Sequence, residues 1–129
     1  MANSVFDFLR TRGRYRVDIA GSFQPNGANT AVTNVNGRGF SVVHTAGTAN
    51  YVVTLTEPFY GYDGIIVSLQ SPTLGQDAQL ISEADVLTTK QFTVAVYDSG
   101  TKAGITDMAA NANTRVHFFA RLKNTTVNF

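Results

Sequence analysis

"RVHFFARLKN", residues 115–124, alternates without a slip. Successive side chains of a strand point to opposite faces, so Val116, Phe118, Ala120 and Leu122 fall on one side. Arg115, His117, Phe119, Arg121 and Lys123 fall on the other. A helix would scatter both sets around its axis. The segment reads as a strand with one face for a core and one for solvent. "KQFTVAVYD" (90–98) repeats the pattern, with Phe92, Val94 and Val96 on one face and Thr93, Ala95 and Tyr97 on the other.

The other segments fit around these two. "YRVDIAGSF" (15–23) alternates and predicts the first strand, with a break or bulge near Gly21. "QPNGANTAVTNVNGRG" (24–39) is rich in turn residues, with Asn26-Gly27 and Asn36-Gly37 as its sharpest signals and room for a short strand near 31–35. "FSVVH" (40–44) and "NYVVTLT" (50–56) make a hairpin across "TAGTA", and Pro58, lacking a ladder N–H, ends it. "GIIVSLQ" (64–70) is the most apolar strand and 71–78 a loop. "QLISEADVLTT" (79–89) predicts two short strands broken at Glu83–Ala84. Asp98-Ser99-Gly100 is a turn, and 101–114 a long loop of small and polar residues.

Composition agrees with this reading. Thr (16 residues) and Val (14) lead, with 11 Gly and 10 Asn, against only two Glu and three Lys. β-branched residues suit a pleated surface, and Gly and Asn suit turns. No helix is long enough for a parallel crossover. The expectation is an all-β fold, a single-domain antiparallel β-sandwich or jelly roll over 14–129, with an extended N-terminal docking arm over 1–13.

No catalytic constellation accompanies the strands. His44 shares a face with Phe40 and Val42 and reads as a core-edge residue, while His117 lies on a polar face. Asp98-Ser99-Gly100 is a turn signature, not a nucleophile elbow. Glu57, Asp63, Glu83 and Asp85 flank turns or breaks, where carboxylates are solvated. The glycines of "NGRG" precede no helix, so no phosphate loop is expected. Cysteine is absent, which excludes disulfides and thiolate metal sites. Neither an enzyme nor a cofactor or metal is expected. No apolar run nears the roughly 20 residues of a membrane span, and "MANSVFDFLRTRG" lacks the pattern of a secretory leader. "EPFYGYD" (57–63) is the one aromatic cluster that a carbohydrate could use.

The charge is unevenly placed. The protein has a formal +1, yet residues 1–17 hold four Arg against Asp7, a balance of 4 − 1 = +3. The remainder holds six basic and eight acidic groups, 6 − 8 = −2. In "RTRGRYR" (10–16) the basic residues alternate, so an extended segment puts Arg10, Arg12, Arg14 and Arg16 on one face. Arginine favours planar bidentate contacts to carboxylate or phosphate. A near-neutral body makes a carboxylate-bearing protein the expected partner and nucleic acid an unexpected one. Upstream, "SVFDFL" (4–9) has room for one helical turn, too short to be stable alone. Phe6, Phe8 and Leu9 would complete the docking arm. Tyr97 and Phe119, aromatics on outer faces, are the expected subunit-interface residues.

"GRGFSVVHTAGTANYVVTLTEPFYGYDGIIVSL" (37–69) with "TRVHFFARLKN" (114–124) resembles small structural proteins of tailed bacteriophages. The matching positions are Gly37, Gly39, Phe40, Val42, His44, Gly47, Tyr51, Val53, Leu55, Pro58, Arg115, Val116 and Phe118, within a resemblance spanning about 14–124. In architecture it is similar to compact trimeric jelly rolls of the C1q and tumour-necrosis-factor type. The resemblance implies a virion protein, made in the host cytoplasm, homotrimeric, and placed on the capsid surface as a decoration (cement) protein bound to the major capsid protein. A tail, baseplate or fibre component is the alternative, and a carbohydrate-binding module a more distant one.

Overall fold

The computed structural model describes residues 16–57, 59–85 and 90–123. Among these residues eight strands follow in order: β1 (Arg16–Phe23), β2 (Val35–Asn36), β3 (Phe40–His44), β4 (Asn50–Leu55), β5 (Gly61–Gln70), β6 (Gln76–Asp85), β7 (Lys90–Asp98) and β8 (Arg115–Lys123). They form two four-stranded sheets, ordered β2-β1-β8-β5 and β3-β4-β7-β6. Every pairing is antiparallel. The protein is an all-β sandwich, as its alternation requires.

The core is the sum of the inward faces. Val116, Phe118, Ala120 and Leu122 of β8 are buried, as are Phe92, Val94 and Val96 of β7. Tyr51, Val53 and Leu55 of β4, Phe40 and Val42 of β3, and Ile19 and Phe23 of β1 complete it. Phe118 joins the two layers: its ring stands edge-on to Phe40 at 4.8 Å and to Phe92 at 5.3 Å. Such pairs add about 0.5–1.5 kcal/mol each beyond the area they bury.

Four expectations change. Gly21 is not a break. It lies inside an unbroken register from Arg16↔Lys123 to Phe23↔Val116, and its missing Cβ leaves room for the Phe40 ring. The stretch 79–89 does not begin as a short strand after a loop. β6 already starts at Gln76 and runs to Asp85, past Glu83–Ala84, with its irregularity between Leu80 and Ser82. A bulge there shifts the alternation by one residue, and the sequence shows that shift as a break. β5 starts at Gly61 rather than 64, through a second register shift between Tyr62 and Gly64. The strand near 31–35 shrinks to an Ala31↔Val43 bridge and the two residues of β2.

One end of the sandwich is closed by loops pinned to a buried histidine. Both ring nitrogens of His44 face carbonyl oxygens, Nε2 that of Thr48 at 2.9 Å and Nδ1 that of Asn29 at 3.3 Å. Its ring stacks on Tyr51 at 4.6 Å, and Asp107 Oδ1 lies 3.5 Å from Nε2. The same carboxylate oxygen accepts from the Gly47 N–H at 2.9 Å. His44 thus ties three loops to the core. Burial first, and the Asp107 charge second, push the Tyr51 phenol up to about 12.

Candidate docking face on the outer side of the β8 sheet

β8 lies between β1 and β5, so each of its outward residues has a neighbour on both sides. The registers set these neighbours in rows. Ala20, Phe119 and Ile66 form one row, and Ser22, His117 and Ser68 the next. Asp18, Arg121 and Gly64 form the row on the other side. The middle row is apolar and open to water: Ile66 is 70% exposed and Phe119 39%. Side chains directly opposite on adjacent strands touch, so Phe119 and Ile66 make one continuous apolar surface.

The rows beside it are polar and ordered by residues of the same protein. Arg121 meets Asp18 in a two-point contact, Nε–Oδ1 2.8 Å and Nη2–Oδ2 3.2 Å. The hydrogen bond to Asp18, and then its charge, push the Arg121 guanidinium further above its already high pKa. Arg16 pairs with Asp63. Arg115 donates from Nε to Ser22 Oγ at 3.0 Å and from Nη1 to Asn34 Oδ1 at 3.1 Å. His117 Nε2 lies 2.9 Å from Gln70 Oε1. An apolar centre with a polar, pre-ordered rim is the usual anatomy of a protein-binding patch. Fixed arginines lose little conformational freedom when a partner arrives.

The expected site residues separate. Phe6, Phe8, Leu9, Arg10, Arg12 and Arg14 lie outside the described residues. Arg16 opens β1 and pairs with Asp63 of the same protein. Phe119 stands at the centre of the face. Tyr97 stands on the outer face of the other sheet, opposite Asp77 and bridged to Gly104, so the two aromatics do not share a surface. Sequence reasoning misses Ile66. The run Ile65-Ile66-Val67 within "GIIVSLQ" hides the alternation at that point, although Ile65, Val67 and Leu69 turn inward and Ile66 outward. The "EPFYGYD" aromatics disperse too: Phe59 is buried, Tyr62 packs edge-on to Phe92 at 6.3 Å, and Tyr60 is exposed.

Among the described residues no three His, Cys, Asp or Glu side chains come together as a metal site, and no helix is long and apolar enough to cross a membrane. No family model, no curated protein and no solved structure matches the sequence.

Proposed function

We propose that this protein is a structural component of a phage virion, most simply a decoration protein that binds the major capsid protein on the outer shell and stabilises it. The observation that carries the reading is the exposed Ala20–Phe119–Ile66 row, framed by arginines that intramolecular contacts hold in place. Such a face serves association, and many copies on a closed lattice would add contacts between shell subunits. The resemblance of residues 37–69 and 114–124 to small phage structural proteins supplies the class of partner. The arginines and apolar residues of the N-terminal arm would extend the contact beyond Arg16. A tail, baseplate or fibre component would use the same face on another virion protein. Self-association as a homotrimer belongs to the same proposal.

Copy number in purified virions tests it. Hundreds of copies per particle fit decoration, and tens or fewer fit a tail or fibre. Binding to nucleic-acid-free shells, with naked DNA as the comparison, tests the partner. Tight binding to DNA with none to shells would overturn the reading. Sedimentation at micromolar concentration tests the trimer.

A further inference from the structure

We infer that Asn36 is a self-modification site, converted to aspartate or isoaspartate by ring closure from the Gly37 backbone nitrogen. Two Asn-Gly pairs occur in the sequence, and the fold treats them differently. Gly27 N–H donates to the Met108 carbonyl at 2.9 Å, and the Asn26 carbonyl accepts from Asn29 N–H at 3.3 Å. Asn26 is half-buried. Asn36 is exposed and ends β2, a two-residue edge strand, with Ser22 as its last paired partner. Among the described residues the Gly37 N–H has no hydrogen-bond partner. The nucleophilic N–H is thus tied up in a hydrogen bond at one pair and not at the other.

Packing explains why this reactive pair cannot be relieved at its glycine. Gly37 has φ +117, and a Cβ there would stand 2.9 Å from the Ala20 carbonyl oxygen and 2.9 Å from Phe40 Cε1. Side chains rarely adopt that conformation, and this position also lacks the space. At Gly27 a Cβ would meet nothing within 4 Å. The fold therefore requires a glycine after Asn36, and a glycine leaves its nitrogen unshielded.

The chemistry balances without a cofactor. Base removes the Gly37 amide proton, and the nitrogen attacks Asn36 Cγ. The bond from Cγ to Nδ2 breaks, and ammonia leaves. Water then adds to one carbonyl of the succinimide and the bond from that carbonyl to the ring nitrogen breaks: opening at Cγ gives aspartate, and opening at the Asn36 main-chain carbonyl gives isoaspartate, with the backbone rerouted through Cβ and Cγ. Directly opposed strand residues share a face. In the aspartate product the new carboxylate therefore lies on the outer side of the β8 sheet, opposite the Ser22 that holds Arg115. The inference does not depend on what that face binds.

The test is incubation of the intact protein in mildly alkaline buffer, followed by peptide mass spectrometry that separates aspartate from isoaspartate. Conversion at Asn36 is expected to run roughly tenfold ahead of Asn26, the size of effect expected from one hydrogen bond that must open first. Asn36→Gln abolishes the product, and its unchanged circular dichroism shows the fold intact. In urea only the sequence remains, and the two rates converge. Equal rates in the folded protein, faster conversion at Asn26, or a difference that persists in urea would each overturn the inference.

Discussion

The Phe40 ring occupies the space that a side chain on Gly21 would need: its Cε1 and Cζ lie 2.4 Å from the position of a Cβ there. Phe40 has little room to retreat, because it is buried and stands edge-on to Phe118 at 4.8 Å. Gly21→Ala is therefore expected to destabilise the fold by about 1–3 kcal/mol through overpacking. Denaturant unfolding measures it. Phe40→Leu in the same molecule makes room, so the double variant should lose less than the sum of the two single losses. Strict additivity would mean that the two residues do not compete for one space.

Tyr51 gives a second prediction. Its hydroxyl is buried, and among the described residues it has no hydrogen-bond partner. A buried polar group without a partner costs about 1–3 kcal/mol. Tyr51→Phe keeps the ring, its stacking on His44 and its tilted contact with Phe23, and is expected to raise stability by about 1 kcal/mol. In an absorbance titration the Tyr51 phenol, pushed up to about 12, should give a step near that pH that Tyr51→Phe removes. The sign follows from a folded pKa above the unfolded one. The contribution is full below about 10, the ordinary phenol value, and is lost as pH rises towards about 12. Asp107→Asn should lower this pKa only part of the way, because burial is the larger cause.

How far the sequence was legible depended on phase. β7 and β8 alternate cleanly because each packs one face on the core and leaves the other nearer solvent, so their limits and inward residues could be read directly. β6 could not, because its bulge between Leu80 and Ser82 reverses the alternation midway. A pattern that changes phase looks like two strands. Gly21 misled for a different reason: a glycine inside a strand marks either a bulge or the close approach of another group, and only the position of Phe40 decides which. On the candidate face, Phe119 stood out as an aromatic among charges. Ile66 lay within an apolar run, and its outward direction required the register with β8.

The turn after β7 has its own pH response. Asp98 Oδ1 accepts from the Gly100 N–H at 2.8 Å and the Thr101 N–H at 3.0 Å. These bonds, Thr101 first and Gly100 second, hold the Asp98 carboxyl below the usual carboxylate range. A lowered folded pKa stabilises the folded state above the ordinary value of about 3.9 and is lost as pH falls below it. Amide exchange at Gly100 and Thr101 should therefore be steady from neutral pH down to about 4. Protection should drop below that, after correction for intrinsic exchange. Asp98→Ala should show the reduced protection at every pH. Protection in that variant equal to the parent protein would show that the carboxylate does not hold the turn.

Ile66 and Phe119 carry the last prediction. Both are exposed on the β8 sheet, so replacing them by Ser removes apolar surface from the docking face while leaving the core intact. Stability should change by about 1 kcal/mol or less, because exposed positions contribute little to folding. Affinity for nucleic-acid-free shells should fall roughly tenfold or more, the loss of a central apolar anchor being worth about 1.4 kcal/mol or above. Val43 is the control. It is 51% exposed but belongs to the other sheet, so Val43→Ser should leave shell binding unchanged. Replacing Arg10, Arg12 and Arg14 together by Ser tests the arm separately. If the arm and the face contact the same shell, both sets of changes weaken binding, and the arginine set alone lessens its salt dependence. If Val43→Ser weakens binding as much as Ile66→Ser and Phe119→Ser, the contact is not on the β8 sheet. If none of these variants alters binding to shells, the capsid-docking role of this face is wrong.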